Sequence, residues 1–280
     1  MEFSKAIDSI TLEGIEPVEI AAGDYVKNGV LHCGKCHGPK QYLIPRGLLK
    51  GRLKNIPCPC EAERQEEERQ ERQRKEERER IGRLRAVAFA DPEDSKRRFE
   101  ADGGGSGAAM KAARNYADKF QQFRKDGKGL LLYGPPGTGK SFAAACIVNA
   151  LIDKGVPCLF TSLARIVNQL WSSEDKQGFI DGLQQFSLLV LDDYGVERDT
   201  EYMTEQVHNI IDARYRSGKP MIVTTNLTGQ QLRQANDVDR QRIHSRFFEM
   251  CIPVEVAGED RRQLILKDEY QEYRSILGIS

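Results

Sequence analysis

The run Gly134-Pro135-Pro136-Gly137-Thr138-Gly139-Lys140-Ser141 constrains this chain more than any other stretch. It lies between an apolar strand-like run, Leu130 to Tyr133, and an apolar helical run, Phe142 to Leu151. Glycines there let backbone N–H groups curl around a phosphate at a helix N-terminus, where the helix dipole favours negative charge. A simple Gly/Pro turn requires neither Lys140 nor Ser141. A nucleotide site uses both, the ammonium against the β- and γ-phosphates and the hydroxyl on Mg²⁺. All eight residues are therefore expected to bind ATP with Mg²⁺.

Downstream, Leu188-Leu189-Val190-Leu191 runs into Asp192-Asp193. A buried strand ending in two carboxylates delivers them where parallel sheets bind ligands. Asp192 is expected to hold Mg²⁺ through water and Asp193 to orient or deprotonate the attacking water. Apolar runs followed by Asp-Asp also mark strands entering turns, but the phosphate loop upstream favours the functional reading. Other strand-like runs are Gly129 to Tyr133, Cys158 to Thr161, Met221 to Thr225 and Cys251 to Val256, and helix-like ones are Ala108 to Phe123, Ser141 to Asp153 and Met203 to Tyr215. Near-continuous apolar strands separated by helices predict an α/β fold with a parallel sheet covered on both faces.

Asn226 ends the Met221 to Thr225 run, where its side chain could touch the γ-phosphate or the water, or could simply cap a turn. Arg240 to Phe248 interleaves bases with apolar residues. It reads either as an amphipathic helix with a solvated face or as the carrier of an arginine finger, Arg246, reaching a neighbouring subunit's nucleotide.

Composition bounds partners and compartment. Forty-two basic and 42 acidic side chains give zero formal charge, so any nucleic-acid contact must be local. No run approaches the ~20 apolar residues of a membrane span, and the N-terminus lacks a secretory signal. A cytoplasmic protein with no membrane association is expected. Among seven cysteines, Cys33 and Cys36 pair with Cys58 and Cys60 as Cys-x-x-Cys and Cys-x-Cys. In a reducing compartment four such thiolates point to a closed Zn²⁺ site, ahead of unligated buried cysteines or redox chemistry. Gly34 and Gly38 would help the chain turn around the metal. His32 and His37 are possible substitute ligands or solvated loop residues, and Cys146, Cys158 and Cys251 read as buried core side chains.

Three segments follow. Residues 1–60 form a zinc-binding module. Residues 61–107 form a charged helical spacer, with nine Glu against nine Arg or Lys between Glu61 and Arg85, ending in a glycine-rich joint. Residues 108–280 form the ATPase domain. The charged segment has no stripe to bury, and a partner-binding arm is its alternative reading.

Gly134 to Ser141, Asp192-Asp193-Tyr194-Gly195, Thr224-Thr225-Asn226-Leu227 and Arg242-Ile243-His244-Ser245-Arg246, in that order, resemble the core of AAA+ ATPases. The likeness is strongest to DnaC-type bacterial replicative helicase loaders and the helper ATPases of insertion sequences, and it spans Ala108 to Arg262. The resemblance implies a five-stranded parallel sheet, a Walker B pair at Asp192 and Asp193, sensor 1 at Asn226, the finger at Arg246 and a nucleotide-sensing arginine at Arg262. The chain ends soon after Arg262, so a core without the full helical lid of larger AAA+ machines is expected. AAA+ proteins generally have glutamate at the position of Asp193, so slow hydrolysis is expected. Loaders of Gram-positive bacteria and their phages resemble the zinc arrangement as well.

The leading expectation is an ATP-dependent loader that grips a ring helicase through its N-terminal module, self-associates through its ATPase domain and delivers the ring to single-stranded DNA. The alternative is a transposition helper that binds duplex DNA and recruits a transposase. A small-molecule kinase, the third reading, has no use for Arg246 between subunits. Arg165 and Lys176 are candidate DNA contacts.

Overall fold

The computed structural model describes residues 20–47, 49–102, 107–195, 201–235, 237–258, 260, 270, 273–274 and 276–279. The chain forms two compact units, Met1–Arg78 and Glu79–Ser280.

In the first unit two short hairpins precede a long helix. β1 (Tyr25–Lys27) pairs antiparallel with β2 (Val30–His32). Asn28 and Gly29 between them have φ of 51° and 76°, the backbone that Asn-Gly supplies in a two-residue hairpin turn. β3 (Gln41–Leu43) pairs antiparallel with β4 (Leu53–Asn55). Helix α1 (Pro59–Ala88) starts with proline at its first position, where the missing N–H would have had no helical partner. Side chains 62–80 on it are exposed. Ion pairs along it include Arg64 with Glu61 (2.7 Å) and Arg69 with Glu66 (2.8 Å).

The second unit is built on a five-stranded sheet of order β6-β7-β8-β5-β9: β5 (Gly129–Tyr133), β6 (Cys158–Ser162), β7 (Leu188–Tyr194), β8 (Met221–Thr225) and β9 (Cys251–Glu255). Every neighbouring pair is parallel. Alternation along the strands makes two cores. Leu130, Leu132, Leu188, Val190 and Ile222 face α2 (Gly107–Asp118) and α4 (Lys140–Asp153). Leu131, Leu189, Leu191, Met221 and Val223 face α5 (Leu163–Ser172), α6 (Lys176–Leu183), α7 (Glu201–Arg216) and α9 (Val238–Met250). The short helices α3 (Phe120–Lys125) and α8 (Gly229–Arg233) complete the unit. The single helix expected over Ala108 to Phe123 breaks at Lys119, which caps α3.

The charged segment ends differently from its expected solvated character. Ile81 and Leu84 pack against the first core and Ala88 is fully buried, a stripe at i, i+3 and i+7 that begins only at the end of the charged run. Arg80 donates to the Gly155 carbonyl (2.9 Å) and Arg85 pairs with Asp153. Phe89 and Phe99 are buried in the same core, and buried Asn149 donates to the carbonyls of Asp94 and Arg97, both at 2.9 Å. Residues 79–102 thus belong to the compact ATPase unit.

Fully buried Arg214 donates to the carbonyls of Pro220 (2.6 Å), Phe186 (3.0 Å) and Ser187 (3.2 Å), tying together the entries of β7 and β8. Burial lowers its pKa to about 10. Those carbonyls satisfy a charge that would otherwise be costly to bury.

Candidate functional site

β5, β7 and β8 end at the same sheet edge, and their C-terminal residues make the site. The loop after β5 curls into α4, with Gly139 at φ 99° as the helix cap and Gly137 at φ 77°. Both conformations favour glycine. At Gly137 a side chain would also strike the Asp260 carboxylate, which lies against the loop. Lys140 is buried and folds back over the loop, its Nζ donating to the carbonyls of Gly134 (2.9 Å) and Pro135 (2.6 Å). The Thr138 hydroxyl donates to the Pro135 carbonyl (2.9 Å). An arriving phosphate would offer the ammonium a charged partner in place of two carbonyls.

β7 carries the carboxylates on a bulge. Its register with β8 shifts between Leu191 and Tyr194, and Asp193 has φ 57°. Aspartate tolerates that left-handed backbone better than most residues. Thr224 of β8, fully buried, holds the bulge: its hydroxyl accepts the Asp193 N–H (2.9 Å) and donates to Asp192 Oδ1 (2.6 Å). Asp192 is pushed above the usual carboxylate range by burial, against the hydrogen bonds of Thr224 and Ser141. That contact places the Ser141 hydroxyl beside Asp192, and a hydroxyl with a carboxylate is the donor set that Mg²⁺ takes at a phosphate loop. Asn226 is exposed just past β8. Capping of α8 falls to Thr228, whose hydroxyl accepts Gln231 N–H while Gln231 accepts Thr228 N–H.

Arg246 lies on α9. Its guanidinium stacks on Tyr215, 3.8 Å from the ring centroid, and pairs with Asp212 (3.5 Å) and Glu249 (3.3 Å). Arg262 lies outside the described residues.

Two roles have no direct signal in the sequence. Thr224 is visible only as part of the run that leads to Asn226, and its bonds to β7 are not. Trp171 is 69% exposed and stands edge-on to Tyr202 (5.1 Å between centroids), with Lys176 Nζ 5.7 Å from the Tyr202 ring. Its signal is indirect: Leu163, Ile166, Val167 and Leu170 form the buried stripe of α5, and the chain's one tryptophan falls outside it.

In the first unit the Sγ atoms of Cys33, Cys36, Cys58 and Cys60 lie within 4.8 Å of one another. Cys33 and Cys60 are 3.7 Å apart and Cys58 and Cys60 3.5 Å, close to the ~3.8 Å sulfur separation of a tetrahedral site with 2.3 Å Zn–S bonds. The cluster therefore fits zinc. Amide donors of Cys60 and Gly38 lower the Cys36 thiol to about 6, and those of Cys36 and Lys35 lower Cys33. Burial raises Cys58, and the surrounding thiols, Cys36 first, push Cys60 up to about 12. The turn itself is made by His37, at φ 57°. Gly34 and Gly38 serve close approach instead: a Cβ at Gly34 would meet the Gly23 carbonyl and one at Gly38 the Pro59 ring. His32 and His37 pack on Tyr25 (5.6 and 5.9 Å between centroids). Asp24 accepts the N–H of Gly34 (3.0 Å) and Lys40 Nζ (2.6 Å), bracing the first cysteine pair.

A parallel sheet with a phosphate loop at the end of β5, a carboxylate pair at the end of β7 and a polar residue beyond β8 defines a P-loop ATPase of the AAA+ class. The chain belongs to the family of IstB-like ATP binding proteins, whose model matches residues 65–265. It is 35% identical over 136 residues to an insertion sequence ATP-binding protein of Sinorhizobium fredii, covering 45% of this chain and 46% of that one. It is 29% identical over 131 residues to the replicative helicase loader DnaC of Escherichia coli, covering 44% and 51%. The chain thus spans about half the length of these curated relatives. A crystal structure of DnaI superposes with a TM-score of 0.54 at 25% identity, over 64% of this chain and 99% of the other. No described helix is long and apolar enough to cross a membrane.

Proposed function

We propose that this ATPase loads a replicative ring helicase onto single-stranded DNA. In this reading Lys140 neutralises the β- and γ-phosphates, Ser141 and Asp192 hold Mg²⁺, Asp193 orients the attacking water, Asn226 senses the γ-phosphate and Arg246 completes a neighbouring subunit's site. Zinc would staple a module too small to be stable by core burial alone, and that module grips the helicase.

The observation that carries the single-strand assignment is the exposed Trp171 standing on half-buried Tyr202 beside Lys176. Unstacked bases offer faces to such rings, which duplex DNA keeps stacked on one another. The test is fluorescence anisotropy of labelled single-stranded and duplex oligonucleotides with the protein and a non-hydrolysed ATP analogue. Preference for the single strand, reduced about tenfold or more by Trp171→Ala, is expected at ~1–3 kcal/mol per stacked base. Equal or tighter binding to duplex, indifferent to Trp171, would sink the assignment. It would favour the second reading, a transposition helper, to which the likeness to the insertion sequence protein points.

A further inference from the structure

The finger assignment leaves open what aims Arg246. An arginine side chain carries ~2 kcal/mol of rotamer entropy, so a free one at a subunit boundary would have to be ordered each time a neighbour's phosphate is engaged. In this protein the guanidinium is already ordered by a second helix. Tyr215 and Asp212 both lie in the last turns of α7, and Arg246 reaches them from α9. The ring of Tyr215 lies under the guanidinium at 3.8 Å and Asp212 Oδ1 meets Nη2 at 3.5 Å. Asp212 is shared, since its other oxygen pairs with Arg216 Nε at 3.3 Å. Glu249, one turn on in α9, takes Nη1 at 3.3 Å. Arg246 remains about one-third exposed, so part of its charge stays open to an approaching anion.

We propose that Tyr215, with Asp212, is a positioning residue for Arg246. It holds the guanidinium in a fixed plane at the protomer surface, so that docking of a second copy brings an oriented cation to that copy's nucleotide. This rests on the finger reading of Arg246. The stack restricts the guanidinium through its face and leaves edge N–H donors for a phosphate. The alternative sense of the same contact is a restraint that keeps Arg246 away from its target. Stacking and the 3.5 Å ion pair to Asp212 are each weak at a partly exposed site, which suits a brace better than a lock.

The full-length protein is assayed for ATP turnover as a function of its own concentration, comparing Y215L, Y215F, D212N and R246A, with thermal unfolding of each as a control on folding. Y215L should lose roughly three- to tenfold of the concentration-stimulated kcat while KM for ATP stays unchanged. Y215F, which keeps the ring, should retain it, and D212N should fall between. In an R246A background Y215L should have no further effect. Mixing Y215L with D193N, which supplies an intact Arg246 but hydrolyses nothing itself, should restore stimulated turnover at the Y215L subunits. A folding defect inside the Y215L subunit would not be repaired by its neighbour. If R246A loses stimulation and Y215L keeps it, the brace is wrong and the finger stands. If Y215L turns over faster than the parent, the contact is a restraint and the proposal is overturned. If R246A keeps full stimulation, the finger reading falls and the brace with it.

Discussion

The Thr224 hydroxyl donates to Asp192 Oδ1 at 2.6 Å while accepting the Asp193 amide at 2.9 Å, so one buried oxygen on β8 fixes both carboxylate residues on β7. Strand β8 is also the strand that delivers Asn226. A change at the nucleotide that moves one strand end must therefore strain the other.

Replacing Thr224 by valine keeps shape and removes the oxygen. It strands the Asp193 amide, at about 1–3 kcal/mol, and releases the bulge. The expected result is a roughly tenfold or larger fall in kcat for ATP, a higher Mg²⁺ requirement and little change in nucleotide affinity. Thr224→Ser should stay within about twofold of the parent. Phosphate release across a Mg²⁺ titration checks this, and a T224V protein with parental kcat and Mg²⁺ dependence would refute it.

Lys140 and Asp193 should separate binding from hydrolysis. Lys140→Ala loses a charge-assisted contact worth ~1.5–3 kcal/mol and should weaken ATP binding about 10- to 100-fold. Asp193→Asn keeps size and polarity but cannot take a proton, so binding should be near parental and turnover down about 100-fold or more. Fluorescent-nucleotide titration and single-turnover hydrolysis distinguish them. Parental behaviour of both variants would remove the nucleotide-site assignment.

The sequence made the α/β class and the strand ends legible because buried parallel strands are written as uninterrupted apolar runs: Gly129–Tyr133 and Met221–Thr225 were bounded to the residue. It was silent where a polar residue hides in such a run or an apolar one leaves it. Thr224 looks like strand filler until its partner strand is known. β7 was read as ending at Leu191 because two carboxylates normally break an apolar pattern, whereas the bulge lets the strand continue to Tyr194. The docking of Ile81, Leu84 and Ala88 was masked by the charge density of the same helix. Arg246 could be placed on a helix, but its stack on Tyr215 joins residues far apart in sequence and has no local signature.

Stability should fall below neutral pH through His244. Its imidazole is buried, with Nε2 at 3.0 Å from the Tyr194 hydroxyl and Nδ1 at 2.9 Å from the Leu232 carbonyl, and burial lowers its pKa from the ordinary 6.5. Between the folded and unfolded pKa values the unfolded chain binds a proton that the folded one does not. The contribution is therefore complete above about pH 6.5 and is lost as pH falls below it, until the folded imidazole also titrates. Thermal unfolding midpoints between pH 7.5 and 5.5 should drop more steeply for the parent than for His244→Gln, and parallel slopes would count against this.

One zinc per chain is expected from the four-cysteine cluster. Elemental analysis of untagged, metal-replete protein should give about one equivalent, lost on replacing Cys58 and Cys60 together by serine. Because ligand binding and folding of such a module are one equilibrium, chelation should also abolish its cooperative unfolding. Full zinc retention in the double variant would place the metal elsewhere.

Phe89 and Phe99 are each only 8% exposed in the first core, and Ile81, Leu84 and Ala88 pack beside them. Each buried phenylalanine contributes about 1.5–3 kcal/mol, so the pair supplies roughly 3–6 kcal/mol of the 5–15 kcal/mol a domain commonly has. A fragment of residues 79–280 should therefore unfold cooperatively and bind ATP like the full chain. A fragment of residues 107–280 keeps every nucleotide-site residue named above, yet it uncovers that face of α4 and should melt roughly 6–20 °C lower or precipitate. Calorimetry of the two fragments with and without nucleotide decides the matter. Equal midpoints would mean that residues 79–102 add nothing to the core. The segment would then revert to a tether, and the ATPase unit would begin at the glycine-rich joint as the sequence alone suggested.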